Sequence, residues 1–296
     1  MRAAAVFGPG SSEKDLRPFR KICCVAEWIT GLPGSRSEAD VVLILGGDGT
    51  VHRHLGRLVE LQIPLLVVPR GSGNDFARAL NLDRQREALK AWRDFSRGGG
   101  NVQSIDLGMI TPVSGTHDPS ATQPVGRYFC CVAGVGLDSE AVRRGNRLPR
   151  WLRRHGGYAL SALGALLQFT TFSAKIFTAG NHQEWILRNE GPVILVSFAN
   201  ATSYGSGMKI APRAQLTDGK IDICLITEMD KLKLFCLFPT VYFGRHLDLP
   251  EVEYFQSERL RVETEKPLEM YADGEYVCQT PVEIEVKAAV LRVIVP

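Results

Sequence analysis

The chain lacks an apolar stretch of transmembrane length, and none of its cysteines has the Cys-x-x-Cys spacing of a zinc or redox site. Its seven cysteines include two adjacent pairs, Cys23-Cys24 and Cys130-Cys131, and follow no disulfide pattern, so reduced thiols in a cytoplasm are expected. The charge imbalance is small, a formal +3, which is too little to argue for nucleic acid as a partner. The opening Met1-Arg2-Ala3-Ala4-Ala5-Val6-Phe7 runs directly into a glycine turn and is too short an apolar run for a signal peptide. What is present is an ordinary globular balance, 45% apolar and 23% charged over 296 residues, enough chain for two domains with cores of their own.

The most informative stretch is Val41 to Ala77. Val41-Val42-Leu43-Ile44-Leu45 is an unbroken apolar run of strand length, as a strand buried on both faces would be. It leads into Gly46-Gly47-Asp48-Gly49-Thr50, after which Val51, Leu55, Leu58 and Val59 recur at helix spacing. A strand, a glycine turn and a helix start put free backbone N–H groups where a phosphate could sit, and the glycines let the backbone approach a bulky anion. Asp48 would repel a phosphate, so it reads as a partner for a metal ion or a ribose hydroxyl. A second unit follows, with a strand over Pro64 to Val68 and the turn Pro69-Arg70-Gly71-Ser72-Gly73-Asn74-Asp75-Phe76-Ala77 entering a helix. Two such units in parallel would bring both loops to the C-terminal edge of one sheet.

Together the two stretches resemble the soluble diacylglycerol-kinase-type lipid kinases, whose catalytic domain is shared with sphingosine and ceramide kinases. Gly-Gly-Asp-Gly-Thr alone is also close to NAD kinase and phosphofructokinase motifs. The narrowing feature is Pro69 to Ala77, which is similar to that family's Pro-x-Gly-Thr-x-Asn-Asp-Phe-Ala. The resemblance implies an α/β nucleotide-binding domain of the NAD kinase/diacylglycerol kinase type followed by a C-terminal β-sandwich. After Gly98-Gly99-Gly100 the βα alternation gives way to short strands with turn signals, which puts the boundary between residues 1–102 and 103–296. The resemblance also implies ATP and Mg²⁺ as cofactors, a lipid hydroxyl as acceptor, and work from the inner membrane surface. It assigns nucleotide contacts to Pro9, Ser11, Gly46, Gly47, Asp48, Gly49, Thr50, Gly71, Ser72 and Asn74. Asp75 and Asp106 are implied members of a buried acidic network leading to a metal.

Farther along, Gly134-Val135-Gly136-Leu137-Asp138 matches the family's Gly-x-Gly-x-Asp, and Arg143, Arg144, Arg147, Arg150, Trp151, Arg153 and Arg154 form a basic, aromatic-interleaved segment suited to an anionic membrane surface. The turn before the strand Ile221 to Ile226 contains Asp218-Gly219, a hairpin signal by itself. By resemblance it is a magnesium site, with the Asp218 carboxylate joined by main-chain oxygens of Gln215 and Lys220. Asp273-Gly274 is again a hairpin signal, and the resemblance makes Glu275 the catalytic base with Asp48 as its partner on the nucleotide side. This reading requires the glycine turns and Glu275 to face each other across a gap between the domains.

Several positions depart from the family pattern. Gly8 stands for an asparagine and Ser12 for a glycine in the first loop, while His52 and Arg53 replace Asn and Glu after the first motif. The segment from Lys14 to Asp40 has room for one helix, Leu16 to Glu27. These departures leave open a non-catalytic lipid- or nucleotide-binding relative; Ser72 leaves open a sphingosine- or ceramide-type kinase, the first motif an NAD kinase-like enzyme, and a homodimer is a further possibility.

Overall fold

The computed structural model describes residues 1–113, 126–147, 158–179 and 184–296. The chain divides into two units, the first built from Met1–Leu107 with Ala288–Pro296, the second from Gly108–Lys287. The sequence boundary left the C-terminal strand with the second domain; the structure returns the last nine residues to the first. The reason is apolar: Leu291, Val293 and Ile294 are buried, and Val293 lies beside Leu65 as the parallel neighbour that strand would otherwise lack.

The first unit is a parallel sheet. Its strands are β1 (Arg2–Phe7), β2 (Glu27–Thr30), β3 (Val41–Gly46) and β4 (Leu65–Pro69), in the order β2-β1-β3-β4, with the end of β15 (Val282–Ile294) beyond β4. β3 and β4 are buried at every position, as their unbroken apolar runs require of strands covered on both faces. The helices are α1 (Glu13–Ile22), α2 (Asp48–Leu61), α3 (Asp75–Ala79) and α4 (Gln85–Ser96). α2 turns Val51, Leu55 and Leu58 inward, at the helical spacing of the sequence; Leu61 joins them in the core, while Val59 is only half-buried. Trp92 of α4 is fully buried and its indole N–H donates to the Phe19 carbonyl at 2.9 Å, so the polar end of the ring is satisfied where its apolar body fills the core.

The segment between Lys14 and Asp40 holds more than the single helix expected. α1 ends at Ile22, and Glu27–Thr30 adds an edge strand paired with Arg2–Ala5. Its burial is slight, which is why no apolar alternation announced it. Ser12, at a departing position, stands at the N-cap of α1, where its N–H donates to the Asp15 carboxylate at 2.9 Å.

The second unit is mainly antiparallel. It contains the end of β5 (Val102–Pro112), β6 (Arg127–Phe129), β7 (Val132–Gly136), β8 (Phe172–Ala179), β9 (Trp185–Ala199), β10 (Ile221–Thr227), β11 (Val252–Ser257), β12 (Arg259–Thr264), β13 (Glu269–Ala272), β14 (Glu275–Gln279) and the start of β15. β9 is the spine: its first part pairs with β8, and its second part lies between β7 and β10. Phe129, Phe198, Ile223, Leu260, Met270 and Ile284 belong to one buried cluster beneath these strands. Among the described residues the α-helices of this unit are α5 (Leu137–Arg147), α6 (Tyr158–Gln168) and α7 (Lys231–Val241). α5 begins directly after Gly136, a helix that the sequence reading did not place.

Leu43 is fully buried in the central strand of the first unit. Leu43→Ala should lower unfolding free energy by about 2–5 kcal/mol in a urea titration, while the exposed Glu60→Ala should change it by less than about 0.5 kcal/mol.

Candidate active site

Parallel pairing decides where the loops of the first unit emerge. Phe7 is level with Leu45, and Gly46 with Pro69, so the loops after β1, β3 and β4 leave the same C-terminal sheet edge. The two motif loops touch backbone to backbone. A Cβ on Gly47 would fall 2.6 Å from the Gly71 Cα, and one on Gly71 would fall 2.5 Å from the Gly47 Cα. These glycines are thus required by the contact between the loops as well as by any ligand. Arg70 N–H donates to the Gly46 carbonyl at 3.0 Å, which fixes the two turns in register.

Asp48 opens α2, and its Oδ1 accepts the Phe76 N–H at 3.0 Å, so the carboxylate of the first motif caps the helix of the second. The sequence reading gave Asp48 a metal or ribose partner and did not foresee this bond. Asn74 sits at φ +55° and closes its own loop: its Oδ1 accepts from Gly71 N at 2.7 Å and its Nδ2 donates to Gly71 O at 3.0 Å. The side chain offered as a nucleotide contact therefore shapes the turn that presents the Gly71 and Ser72 backbone. Ser72 itself is exposed at the loop tip.

The first loop is similar. Ser11 Oγ donates to the carbonyls of Gly8 (2.9 Å) and Leu45 (2.6 Å), tying the loop after β1 to the end of β3, and Pro9 is exposed beside it. Gly8 stands where a Cβ would come within 2.5 Å of Thr50 Oγ1 and 3.0 Å of Gly46 Cα. Its departure from the family asparagine suits this close packing. Arg53 Nε donates to Gly49 O at 3.2 Å along the side of α2, a helix-face role. His54 nearby is held below the usual histidine range, by burial first and then by the Arg53 charge.

Asp75 and Asp106 are both buried in the first unit. Asp75 pairs with Arg78, which also donates to Gly73 O at 3.1 Å, and Asp106 Oδ1 accepts the Ala289 N–H at 2.7 Å. Each carboxylate thus holds a backbone feature in place: the motif loop for Asp75, and the left-handed turn at Ala289 (φ +53°) for Asp106.

In the second unit Asp273 and Gly274 have φ of +50° and +86°, the sign pattern of a type I′ hairpin turn, and they join β13 to β14 with Ala272 opposite Glu275. The hairpin reading of Asp-Gly holds here. Asp273 does more than turn the chain. Its Oδ2 accepts the Cys130 N–H at 2.9 Å and its Oδ1 the Cys131 N–H at 2.8 Å, while Asn146 Nδ2 donates to Gly274 O at 2.8 Å. The turn presenting Glu275 is held from both β7's approach and α5. Glu275 is half-buried at the start of β14.

The Gly134-x-Gly136-x-Asp138 segment makes a second buried polar cluster. Asp138 accepts from the Ser197 hydroxyl through Oδ2 and from the Tyr204 hydroxyl through Oδ1, the latter at 2.5 Å. Burial is the main cause that pushes its carboxyl above the usual carboxylate range. Burial, then the Asp138 charge, pushes the Tyr204 hydroxyl well above its ordinary value. A Cβ at Gly134 would meet Asp138 Oδ2 at 2.9 Å, which accounts for that glycine. Ser197 and Tyr204 lie far from Asp138 in sequence, and nothing in their local pattern pointed to it.

Gln215, Asp218 and Lys220 share the turn before β10, where Gly219 has φ of +71°. Asp218 Oδ1 accepts the Lys220 N–H at 3.1 Å and Oδ2 lies 3.2 Å from Gln256 Nε2. One carboxylate with main-chain oxygens is a hard, all-oxygen donor set, so the residues fit Mg²⁺ in donor chemistry. Of the basic segment, Arg143 and Arg144 both pair with Glu140 at 2.6 Å, and Arg144 also reaches Gly164 O and Gln168 on α6. Both arginines thus make ion pairs within the fold, with 42% of the Arg143 and 30% of the Arg144 side chain still exposed. Arg147 is exposed, while Arg150, Trp151, Arg153 and Arg154 lie outside the described residues. All seven cysteines are free thiols.

The architecture is that of kinases joining an NAD kinase-like α/β domain to a β-sandwich. The chain matches the diacylglycerol kinase catalytic domain over residues 32–110 and the YegS C-terminal NAD kinase beta sandwich-like domain over residues 131–295. It is 33% identical to the diacylglycerol kinase of Mycobacterium tuberculosis over 257 residues, 87% of this chain and 77% of that protein. It is 26% identical to the diacylglycerol kinase of Bacillus subtilis, over 83% of this chain and 74% of that one. Among solved structures it is similar in fold to a diacylglycerol kinase from Bacillus anthracis (TM-score 0.68, 18% identity, 100% of this chain and 97% of that one). It is also similar in fold to an NAD kinase from Archaeoglobus fulgidus in complex with ATP (TM-score 0.54, 14% identity, 99% and 93%).

The chain belongs to the diacylglycerol kinase catalytic domain family, with a YegS-type β-sandwich, and is a lipid kinase. Membership implies ATP as phosphoryl donor and a lipid as acceptor. No helix among the described residues is long and apolar enough to cross a membrane.

Two outcomes test this geometry. Gly47→Ala should force the motif loops apart and weaken binding of a non-hydrolysable ATP analogue about tenfold or more by calorimetry, since the new methyl has Gly71 backbone against it. The raised carboxyl of Asp138 means that the native state holds its proton more tightly than the unfolded chain. Its contribution to stability is present at low pH and is lost as pH rises from the ordinary carboxylate range through the raised value. Asp138→Asn should therefore flatten that segment of the stability-versus-pH curve relative to the native sequence.

Proposed function

We propose that the chain is a diacylglycerol kinase, transferring the γ-phosphate of ATP to the free hydroxyl of diacylglycerol to give phosphatidic acid. The observation that carries the choice of lipid is the similarity, over 87% of the chain, to a protein named diacylglycerol kinase. The Asp75-Phe76-Ala77 ending of the second motif supports it, since sphingosine and ceramide kinases share the preceding Gly-Ser-Gly-Asn but differ there.

Phosphoryl transfer needs positioning and charge neutralisation more than covalent help. The amides that open α2, in the Gly46 to Thr50 turn, bind phosphate oxygens at the positive end of the helix, except the Thr50 N–H, which the Gly47 carbonyl holds; the Ser72 hydroxyl adds the second loop, whose Gly71 N–H is taken by Asn74. Asp48 would hold a cation beside the phosphates, and Gln215, Asp218 and Lys220 would hold another. Bound Mg²⁺ supplies neutralisation of charge on the transferring phosphate. Glu275 accepts the proton of the lipid hydroxyl as its oxygen bonds to the γ-phosphorus and the bond to the bridging β–γ oxygen breaks, leaving ADP. The anchoring of Asp273 on the Cys130 and Cys131 amides supports this role by fixing the backbone that carries the base.

Incubation of the purified chain with ATP, Mg²⁺ and a panel of diacylglycerol, sphingosine, ceramide and NAD, followed by mass analysis, should yield phosphatidic acid as the dominant product. Phosphorylation of only the sphingoid lipids or of NAD would overturn the assignment. Glu275→Gln should lower turnover by about 10²–10⁴-fold with nucleotide affinity retained. Asp48→Asn keeps an oxygen for the Phe76 N–H but loses the charge, so its expected defect is weaker Mg²⁺-dependent nucleotide binding in an otherwise intact loop.

A further inference from the structure

α7 is apolar on the side where a surface helix is normally polar. Leu234, Leu237 and Val241 are its buried residues. Leu232 and Phe243 are 73% and 74% exposed, Phe235 is 46% exposed, and Cys236 and Pro239 are exposed with them. At about 100° per residue these five positions fall within about 100° of one another, opposite the buried three. Phe243 keeps that line because its N–H still bonds to the Thr240 carbonyl at 3.0 Å before Gly244 (φ +69°) ends the turn. Lys231 and Lys233 flank the stripe on its two sides, as snorkelling cations flank a buried apolar face. The helix is firmly started: Asp230 Oδ1 accepts from Leu232 N at 2.8 Å and from Lys233 N at 3.4 Å. α6 packs beside α7 and exposes another apolar residue, Leu167, at 66%.

We propose that this stripe of α7 inserts into the surface of the bilayer that carries the lipid substrate. The occupant follows from two observations. The chain is a lipid kinase, so its acceptor sits in a bilayer. The stripe is also small: five residues stand against the roughly 20–30 a side of a stable protein interface, whereas shallow insertion of a few aromatic and aliphatic side chains suffices at a membrane. The surrounding charge fixes the character of the contact. Lys233 is paired with Glu251, and exposed Lys231 and Arg245 are balanced by exposed Glu228 and Asp248. Attraction is therefore apolar, tolerant of zwitterionic lipid and weakly dependent on salt, in contrast to a polybasic contact. The proposal uses the lipid-kinase assignment only to name the partner.

The test uses the full chain and vesicles of phosphatidylcholine with dioleoylglycerol. The native protein should co-sediment with them to a similar extent at low and high salt, and the triple variant Leu232→Ser, Phe235→Ser, Phe243→Ser should bind about tenfold more weakly or worse. Exposed Cys236 carries an environment-sensitive dye in a Cys24→Ser background, and its emission should shift to the blue on vesicles. Turnover of a short-chain diacylglycerol below its micellar concentration should be equal in the native and triple-variant proteins, which shows that the variant is folded. Vesicle binding unchanged by the triple variant, binding abolished by salt, or a label that stays water-like would overturn the proposal. So would a native dimer that the triple variant converts to a monomer in light scattering, which would assign the stripe to a second copy. Failure to phosphorylate any lipid would overturn the substrate assignment instead, and the vesicle arms would still decide this one.

Discussion

The first unit depends on a contact between two glycines. Gly47 and Gly71 bring the motif loops so close that neither position has room for a methyl group, and the Asp48 carboxylate then reaches the Phe76 N–H. That bond satisfies a helix-terminal amide that would otherwise face the site unpaired, and it couples the two motifs into one object. Neither motif is then an independent phosphate loop. A side chain added at Gly47 or Gly71 would meet the backbone of the other loop directly. This makes the spacing of the two motifs by one βα unit a physical requirement: only neighbouring parallel strands, with Gly46 level with Pro69, deliver the loops to the same height.

The second unit solves a related problem with a carboxylate. A type I′ turn between two short strands is a surface connection with little packing of its own. Asp273 uses both of its oxygens on consecutive backbone amides, and Asn146 takes the Gly274 carbonyl. Charge-assisted bonds of this kind are about twice as strong as neutral ones, so the turn is clamped at three points within two residues. The adjacent cysteines at 130 and 131 thereby gain a reading: each gives the turn a backbone N–H at the bend between β6 and β7, and the Cys130 thiol adds a third contact to Asp273 Oδ2 at 3.4 Å.

Much of this was legible in the sequence where a residue's role follows from its neighbours. The buried runs of β3 and β4, the Val51, Leu55 and Leu58 stripe of α2 and the Asp273-Gly274 hairpin are all local patterns, and each has the predicted form. What could not be read is long-range. The partners of Asp138 are 59 and 66 residues away, and Asp106 is matched with an amide 183 residues on. A carboxylate seen in a strand announces that it needs a partner but not which one. The edge strand Glu27–Thr30 was missed for the opposite reason, since a mostly exposed strand lacks the apolar alternation that reveals its buried neighbours. The return of the last strand to the first unit is a topological fact with no local marker.

Several side chains assigned to ligands turn out to be bonded to the protein as well, and the two roles are compatible. Ser11, Asn74 and Asp48 each use oxygens to fix a loop: Asn74 accepts the Gly71 N–H, Asp48 the Phe76 N–H, and the Ser11 hydroxyl ties the first loop to the Leu45 carbonyl. In such loops residue identity at each position is dictated by how the backbone is held. That is why the departures at Gly8 and Ser12 do not argue against a kinase. Gly8 fills a space where Thr50 leaves no room for a side chain, and Ser12 stands at the N-cap of α1, whose Asp15 pairs with Arg70 of the second motif at 2.9 Å. The sequence of the loop changed, and the placement of its backbone is secured by different atoms.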